Sequence, residues 1–148
     1  METKAKLELA LKESMKSGDD VTKRTVRMAI AAIRQVEIDK RVSLEEAAVL
    51  AIVQKEIKTR KESVEEARNA GRMDIVDATE AEINVLLAYL PAAMSAEELK
   101  ALVDAAIAET GASQPADMGR VMKVLMPRVA GRALGDQVSA AVRQALQK

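Results

Sequence analysis

The chain of 148 residues carries 23 Lys+Arg against 23 Asp+Glu, a formal net charge of zero, and contains no His, Cys, Phe or Trp. Those absences exclude disulfides, thiolate nucleophiles, iron–sulfur ligation, imidazole metal ligands, a Ser-His-Asp triad and aromatic platforms for stacking single-stranded bases. About half the residues (49%) are apolar and Tyr89 is the only aromatic, so any core is built from Ala, Val, Leu, Ile and Met.

The length fits one domain or two small ones, at roughly 100–150 residues per domain. No apolar run approaches the ~20 residues of a membrane span, so no membrane partner is expected. The charges at Glu2, Lys4 and Lys6 have no apolar stretch behind them like that of a secretory leader. The compartment expected on that ground is the cytoplasm.

In chain order, Leu7, Leu11 and Met15 recur at i, i+4, i+8, which predicts a first helix over about Thr3–Ser17, stopped by Gly18. Asp19 or Asp20 can cap a second, about Val21–Asp39, whose Val26, Ile30, Ile33 and Val36 share one side. Ser43 with Glu46 three residues later reads as a capping box for a long helix, about Leu44–Ala70, buried along Leu50, Val53, Ile57 and Val64. Gly71 breaks the pattern. A fourth helix, about Arg72–Leu90, carries Ile75, Ile83, Leu86, Leu87 and Leu90, and Pro91 ends it.

Ser95 and Glu98 form a second capping-box pattern before a helix of about Ala96–Thr110, with Leu99, Leu102, Val103, Ala106 and Ile107 as its apolar face. Gly111 to Pro115 reads as a loop. Asp117 can cap a helix to about Met126, and the last helix runs from about Gly135 to Leu146. No stretch alternates with period two, so no strand is expected. The fold class is all-α: an N-terminal bundle of about four helices over 1–90, then a small C-terminal three-helix domain over 91–148.

Four groups of residues could carry chemistry. Asp74, Asp77, Glu80 and Glu82 are the obvious carboxylate cluster, but at ~100° per residue Glu80 and Glu82 diverge, so a solvated helix start is the favoured reading over a metal or acid/base site. Lys55, Lys58, Arg60, Lys61 and Arg68 could touch phosphates, but Glu56, Glu62, Glu65 and Glu66 interleave. The i,i+4 pairs Glu56–Arg60, Lys58–Glu62 and Lys61–Glu65 suit a salt-bridged face. Met118, Met122 and Met126 recur every four residues, as a soft partner surface or, by preference, as core.

The fourth group is Arg120, Lys123, Arg128 and Arg132, inside Met118–Arg132, which contains no acid. Phosphate binding wants cations without competing carboxylates. Gly119, in the first helical turn, would let a backbone approach, and Gly131 with Gly135 would loosen the loop carrying Arg132. Scattered surface charge with structural glycines is the plainer account of the residues alone. If RNA is bound, the lack of aromatics points to folded RNA read through its backbone.

Several strings together resemble the YqeY family, which is named with the C-terminal domain of the B subunit of the tRNA-dependent amidotransferase. They are Arg27-Met28 with Ile30-Ala31-Ala32-Ile33, Lys58-Thr59-Arg60, Ser63, Gly71-Arg72-Met73-Asp74-Ile75, and Glu82 leading to Tyr89-Leu90-Pro91. Asp117-Met118-Gly119-Arg120-Val121-Met122 and Gly131-Arg132-Ala133 complete the set. The resemblance covers essentially the whole chain and implies an all-helical, bacterial-type protein. In the amidotransferase, which forms carbon–nitrogen bonds with glutamine as amide donor, the related domain is a mobile tail implicated in gripping tRNA, and the chemistry occurs elsewhere.

The resemblance therefore implies tRNA-linked or translation-linked binding, with tRNA or tRNA-charging and amidotransferase proteins as partners, no cofactor and no metal. It implies no catalytic residue. Arg120, Lys123, Arg128 and Arg132, with Gly119 and Gly131, would form the RNA-binding set, and Arg60 and Arg72 a second tier. The alternatives are a helical protein–protein interaction module without an RNA role and, weakest physically, an enzyme in its own right. One departure stands out: the family usually has Asp where this chain has Leu134, and Asp136 is the nearest acid that could cap the last helix.

Overall fold

The computed structural model describes residues 2–147, and among them the fold is all-α, with no strand. Seven helices follow in order: α1 (Thr3–Ser17), α2 (Asp20–Lys40), α3 (Glu46–Asn69), α4 (Met73–Leu87), α5 (Ala96–Thr110), α6 (Met118–Val129) and α7 (Gly135–Leu146). A 3-10 turn (Pro115–Asp117) leads into α6. The chain divides into two compact units, one ending at Leu90 and one beginning at Pro91.

In the first unit α1 packs along α2, α3 along α4, and α2 against α4. Its core is Leu7, Val26, Ile33, Val53, Ile57, Val76 and Leu86, all almost fully buried. Leu50, Val53, Ile57 and Val64 are buried as the periodicity of α3 requires. Three expected apolar positions are not: Met15, Ile75 and Leu87 stay exposed, and Val76 takes the inward place on α4. The hydroxyl of Thr25, on fully buried α2 surface, has no hydrogen-bond partner among the described residues.

Local chemistry sets the helix ends. Asp19 caps α2, accepting from the Thr22 N–H at 3.1 Å and from its hydroxyl at 2.7 Å, which lowers the Asp19 pKa. The capping box expected at Ser43 is not made. Helix α3 starts at Glu46, without a side-chain cap. The Glu46 carboxylate reaches instead to the Thr3 N–H at the start of α1, at 2.9 and 3.2 Å. Glu37 closes the same end of the unit, accepting from Lys4 Nζ at 2.8 Å and from the Leu44 N–H at 2.9 Å.

Helix α4 ends at Leu87, three residues earlier than expected. The Tyr89 and Leu90 N–H groups bond back three residues to the Leu86 and Leu87 carbonyls, tightening the chain before Pro91.

In the second unit α5, α6 and α7 each pack against the other two. Val103, Val121, Leu125, Val129, Val138 and Val142 form its core, and Met118, Met122 and Met126 pack half-buried against it. The methionine repeat is therefore core lining. Ser95 caps α5 by accepting from the Glu98 N–H at 3.1 Å, and Gly111 ends that helix at φ 68°. Helix α6 runs three residues past the expected Met126 and contains Pro127. That proline removes the bond to the Lys123 carbonyl, but burial of Val129 holds the last turn in place.

Candidate nucleic-acid interface

Three of the four cations of the acid-free segment meet carboxylates once the chain folds. Arg120 meets Asp117 at 2.9 Å, Arg128 meets Glu109 at 2.6 Å and Arg132 meets Glu98 at 2.8 Å. The acids come from the 3-10 turn and from both ends of α5, so a scan along Met118–Arg132 alone misses them. These pairs are solvent-exposed, and such pairs are typically worth ~1 kcal/mol or less. A phosphate can compete for them.

The residues divide by how strongly they are committed. Arg132 is the most tied: besides Glu98 it donates through Nε to the Ala92 carbonyl at 3.0 Å, and its own carbonyl accepts from the Met94 N–H at 2.8 Å. It staples the entry of α5 to the turn before α7. That turn carries two left-handed residues in succession, Ala130 at φ 42° and Gly131 at φ 84°. Arg120 also donates to the Thr110 carbonyl at 3.1 Å, across the end of α5. Lys123 is exposed and makes no hydrogen bond or ion pair among the described residues.

Asp117 does not cap α6. Its carboxylate accepts from the Ser113 and Gln114 N–H groups at 3.0 and 3.3 Å and closes the loop before the 3-10 turn. The Ser113 N–H, followed by the Arg120 guanidinium, lowers its pKa, so it stays ionised. Gly119 has ordinary helical geometry, and a Cβ built there would meet nothing within 4 Å. Gly119, Arg120, Lys123 and Arg128 are all exposed on α6, where ~100° per residue places Gly119, Arg120 and Lys123 on one side.

Leu134 occupies the N-cap position of α7, with no side-chain cap of its own. Gln137 makes the other half of a capping arrangement, its Oε1 accepting from the Leu134 N–H at 3.1 Å. Asp136 does not take over as the cap: it lies inside the first turn of α7.

The second-tier residues fare differently. Arg60 is turned into the first unit and is only 7% exposed. It bonds the Glu56 carboxylate at 2.8 Å and the Glu56 carbonyl at 3.1 Å, and lies 3.6 Å from Met28 Sδ. Burial leaves it no surface for a ligand. Arg72 is exposed and grips Asp74 through two nitrogens at 3.2 and 3.1 Å, which lowers the Asp74 pKa.

The carboxylates of α4 disperse to different arginines: Asp74 to Arg72, Glu80 to Arg68 and Glu82 to Arg24. On α3, Glu65 pairs with Arg68 at 2.6 Å and not with Lys61. No group of three or more potential ligands converges on a metal position among the described residues. A groove of about 450 Å³ between α5 and α7 is lined by small and apolar side chains with Gln144 and one exposed Lys100–Asp104 pair, and holds none of the site residues.

A second cationic run lies among the core positions of α2. Val21–Val36 contains Lys23, Arg24, Arg27 and Arg34 and no acid. Its arginines project from α2, where Arg24 and Arg34 reach carboxylates only at 3.7 and 3.8 Å. Arg27 is exposed and makes no hydrogen bond or ion pair among the described residues. A count of acid-free windows along the whole chain would have found it.

Comparison with known proteins bears on the compartment and the family. The chain is 37% identical over 108 residues to "Altered inheritance of mitochondria protein 41, mitochondrial" of Eremothecium gossypii, covering 71% of this chain and 59% of that protein. It is 34% identical over 119 residues to the protein of the same name from Lachancea thermotolerans, covering 78% and 63%. The Pyrenophora tritici-repentis protein of that name is 30% identical over 135 residues, covering 89% and 74%. The chain thus spans less than two thirds of the length of the first two.

These names contradict the cytoplasmic placement expected from the sequence, and the relatives are eukaryotic, which leaves "bacterial-type" without support. The physical reason is that a search for an apolar leader detects secretory signals, whereas mitochondrial targeting segments are amphipathic and Arg-rich. The model of the family described as "Yqey-like protein" matches residues 4–146. With that span the chain belongs to the YqeY family.

Proposed function

We propose that this chain is an accessory binding protein without a catalytic site of its own, which touches the backbone of folded RNA, tRNA foremost, through its second unit. The two compact units are read as an N-terminal four-helix bundle and a C-terminal three-helix domain, the latter akin to the tail of the amidotransferase B subunit. The observation that carries the reading is the exposed side of α6: it presents Arg120 and Lys123 beside a glycine with open space above it, and α6 itself contains no acid. Arg128 adds a third exposed cation. Arg132 contributes by holding the loop and less by direct contact.

Exchange of an exposed carboxylate partner for a phosphate leaves the arginine charge satisfied in both states. Affinity should therefore be modest and salt-sensitive. The paired substitution Arg120→Glu with Lys123→Glu is expected to weaken tRNA binding roughly tenfold at low salt and to lower the slope of log affinity against log salt by about 2. Unchanged affinity and slope would remove the site.

The second reading, a protein-interaction module with no RNA role, is favoured by one observation. The exposed large hydrophobics, from Leu9 to Leu87, all belong to the first unit. Partners recovered after ribonuclease treatment separate the two readings.

A further inference from the structure

Helices α1 and α2 leave a groove of about 430 Å³ along their outer side. Its apolar lining is Ala5, Leu9, Leu11, Met15 and Ile30, and its polar lining is Glu8, Lys12 and Arg34. Leu9 is 45% exposed and Met15 60% exposed, so these two are open to solvent, whereas Ile30 at the bottom of the groove is buried in this unit's own core. Scattered exposed apolar residues are ordinary, but here two of them share one groove.

The rims are cationic. Arg34 lines the groove on α2, and Arg27, one heptad earlier, falls on the same flank at ~100° per residue. Lys12 stands on the α1 side. Arg27 and Lys12 make no hydrogen bond or ion pair among the described residues. The one acid in the lining, Glu8, lies 3.8 Å from Arg34, a loose contact between half-exposed side chains. On α2 itself no acid occurs between Val21 and Val36.

We infer that this groove docks an amphipathic helix of a partner protein, with the partner's apolar residues on Leu9 and Met15 and its carboxylates on Arg27, Arg34 and Lys12. Charge complementarity selects the partner: exposed Leu9 and Met15, with Lys12 between them on α1 and Arg27 and Arg34 on α2, match a helix with an apolar stripe flanked by acids. A nucleic-acid backbone would satisfy the rims but gain nothing from Leu9 and Met15. Arginine and methionine beside an apolar floor are also the residues that protein interfaces favour. This surface is independent of α6 and lies in the other unit.

The probe is a synthetic helical peptide of roughly 18 residues, with leucines at i, i+3, i+4 and i+7 and glutamates beside them. A control peptide has the same composition but no amphipathic period. Binding of each to the full chain is followed by fluorescence anisotropy. The periodic peptide should bind at least about tenfold tighter than the control, and Leu9→Glu or Met15→Glu should abolish that margin. Both positions are exposed, so the variants should keep the parent's melting temperature.

The pair Arg27→Glu with Arg34→Glu should weaken binding about tenfold, and replacing the peptide's glutamates by lysines should restore it. Equal binding of both peptides overturns the proposal. So does competition by single-stranded RNA together with indifference to Leu9→Glu, which would make the surface a general polyanion site. Arg120→Glu with Lys123→Glu should leave peptide binding unchanged, so the failure of either surface is read separately.

Discussion

Glu37 is an acid with donors from different elements, among them Lys4 on α1 and the N–H of Leu44 before α3. Lys4, then the Leu44 N–H, lower its pKa below the ordinary 4.5. A lowered carboxylate stabilises the fold above its ordinary pKa and loses that contribution as pH falls through the lower folded value. Glu37→Gln should therefore reduce stability at neutral pH and make the acid limb of a melting-temperature profile shallower below pH 4.5. A variant with a parallel acid limb would remove Glu37 from that role. Gly119 calls for the opposite kind of test, because no contact within the chain requires a glycine there. Gly119→Ala should raise stability by less than the ~1 kcal/mol of a helix interior, because Gly119 lies in the first turn of α6, yet weaken tRNA binding if the RNA backbone approaches at that point. Thermal melts and tRNA titrations of the same variant check both halves.

Among the elements, α1, α5 and α7 have the bounds that their glycines and apolar spacing announce. The start of α3 was not legible: the acceptor that should have closed a local capping box is used by the Thr3 N–H, 43 residues away. Helix α6 runs past the expected end at Met126 and through Pro127, because the buried Val129 on the far side outweighs the bond the proline removes. The cationic segment was legible as a sequence, but its carboxylate partners on α5 were not, since only folding brings Glu98 and Glu109 to it. Arg60 shows the same limit in reverse, a charged side chain buried by contacts from its own helix and from Met28 on α2. The start of α7 yields a further prediction. Leu134 offers no acceptor to the first turn, so Leu134→Asp should add a cap and raise stability by ~1 kcal/mol in thermal or chemical melts. A lower melting temperature would mean that Leu134 contributes more by packing than an acid gains by capping.

For the whole molecule, the zero formal charge hides two cationic runs, Val21–Val36 and Met118–Arg132, one in each compact unit. They differ in what accompanies the charge: exposed leucine and methionine beside α2, glycine and proline on α6. That difference underlies the assignment of a protein helix to the first and an RNA backbone to the second. With no net charge to steer association at long range, RNA binding should depend on local contacts and be modest at physiological salt. The most direct measurement is binding of the pure chain to unfractionated tRNA across a salt series, with a scrambled-sequence duplex RNA as control. Tighter binding to tRNA than to the duplex, weakening steadily with salt, is the expected result. No binding to tRNA at low salt would contradict it and make the cations of α6 ordinary surface.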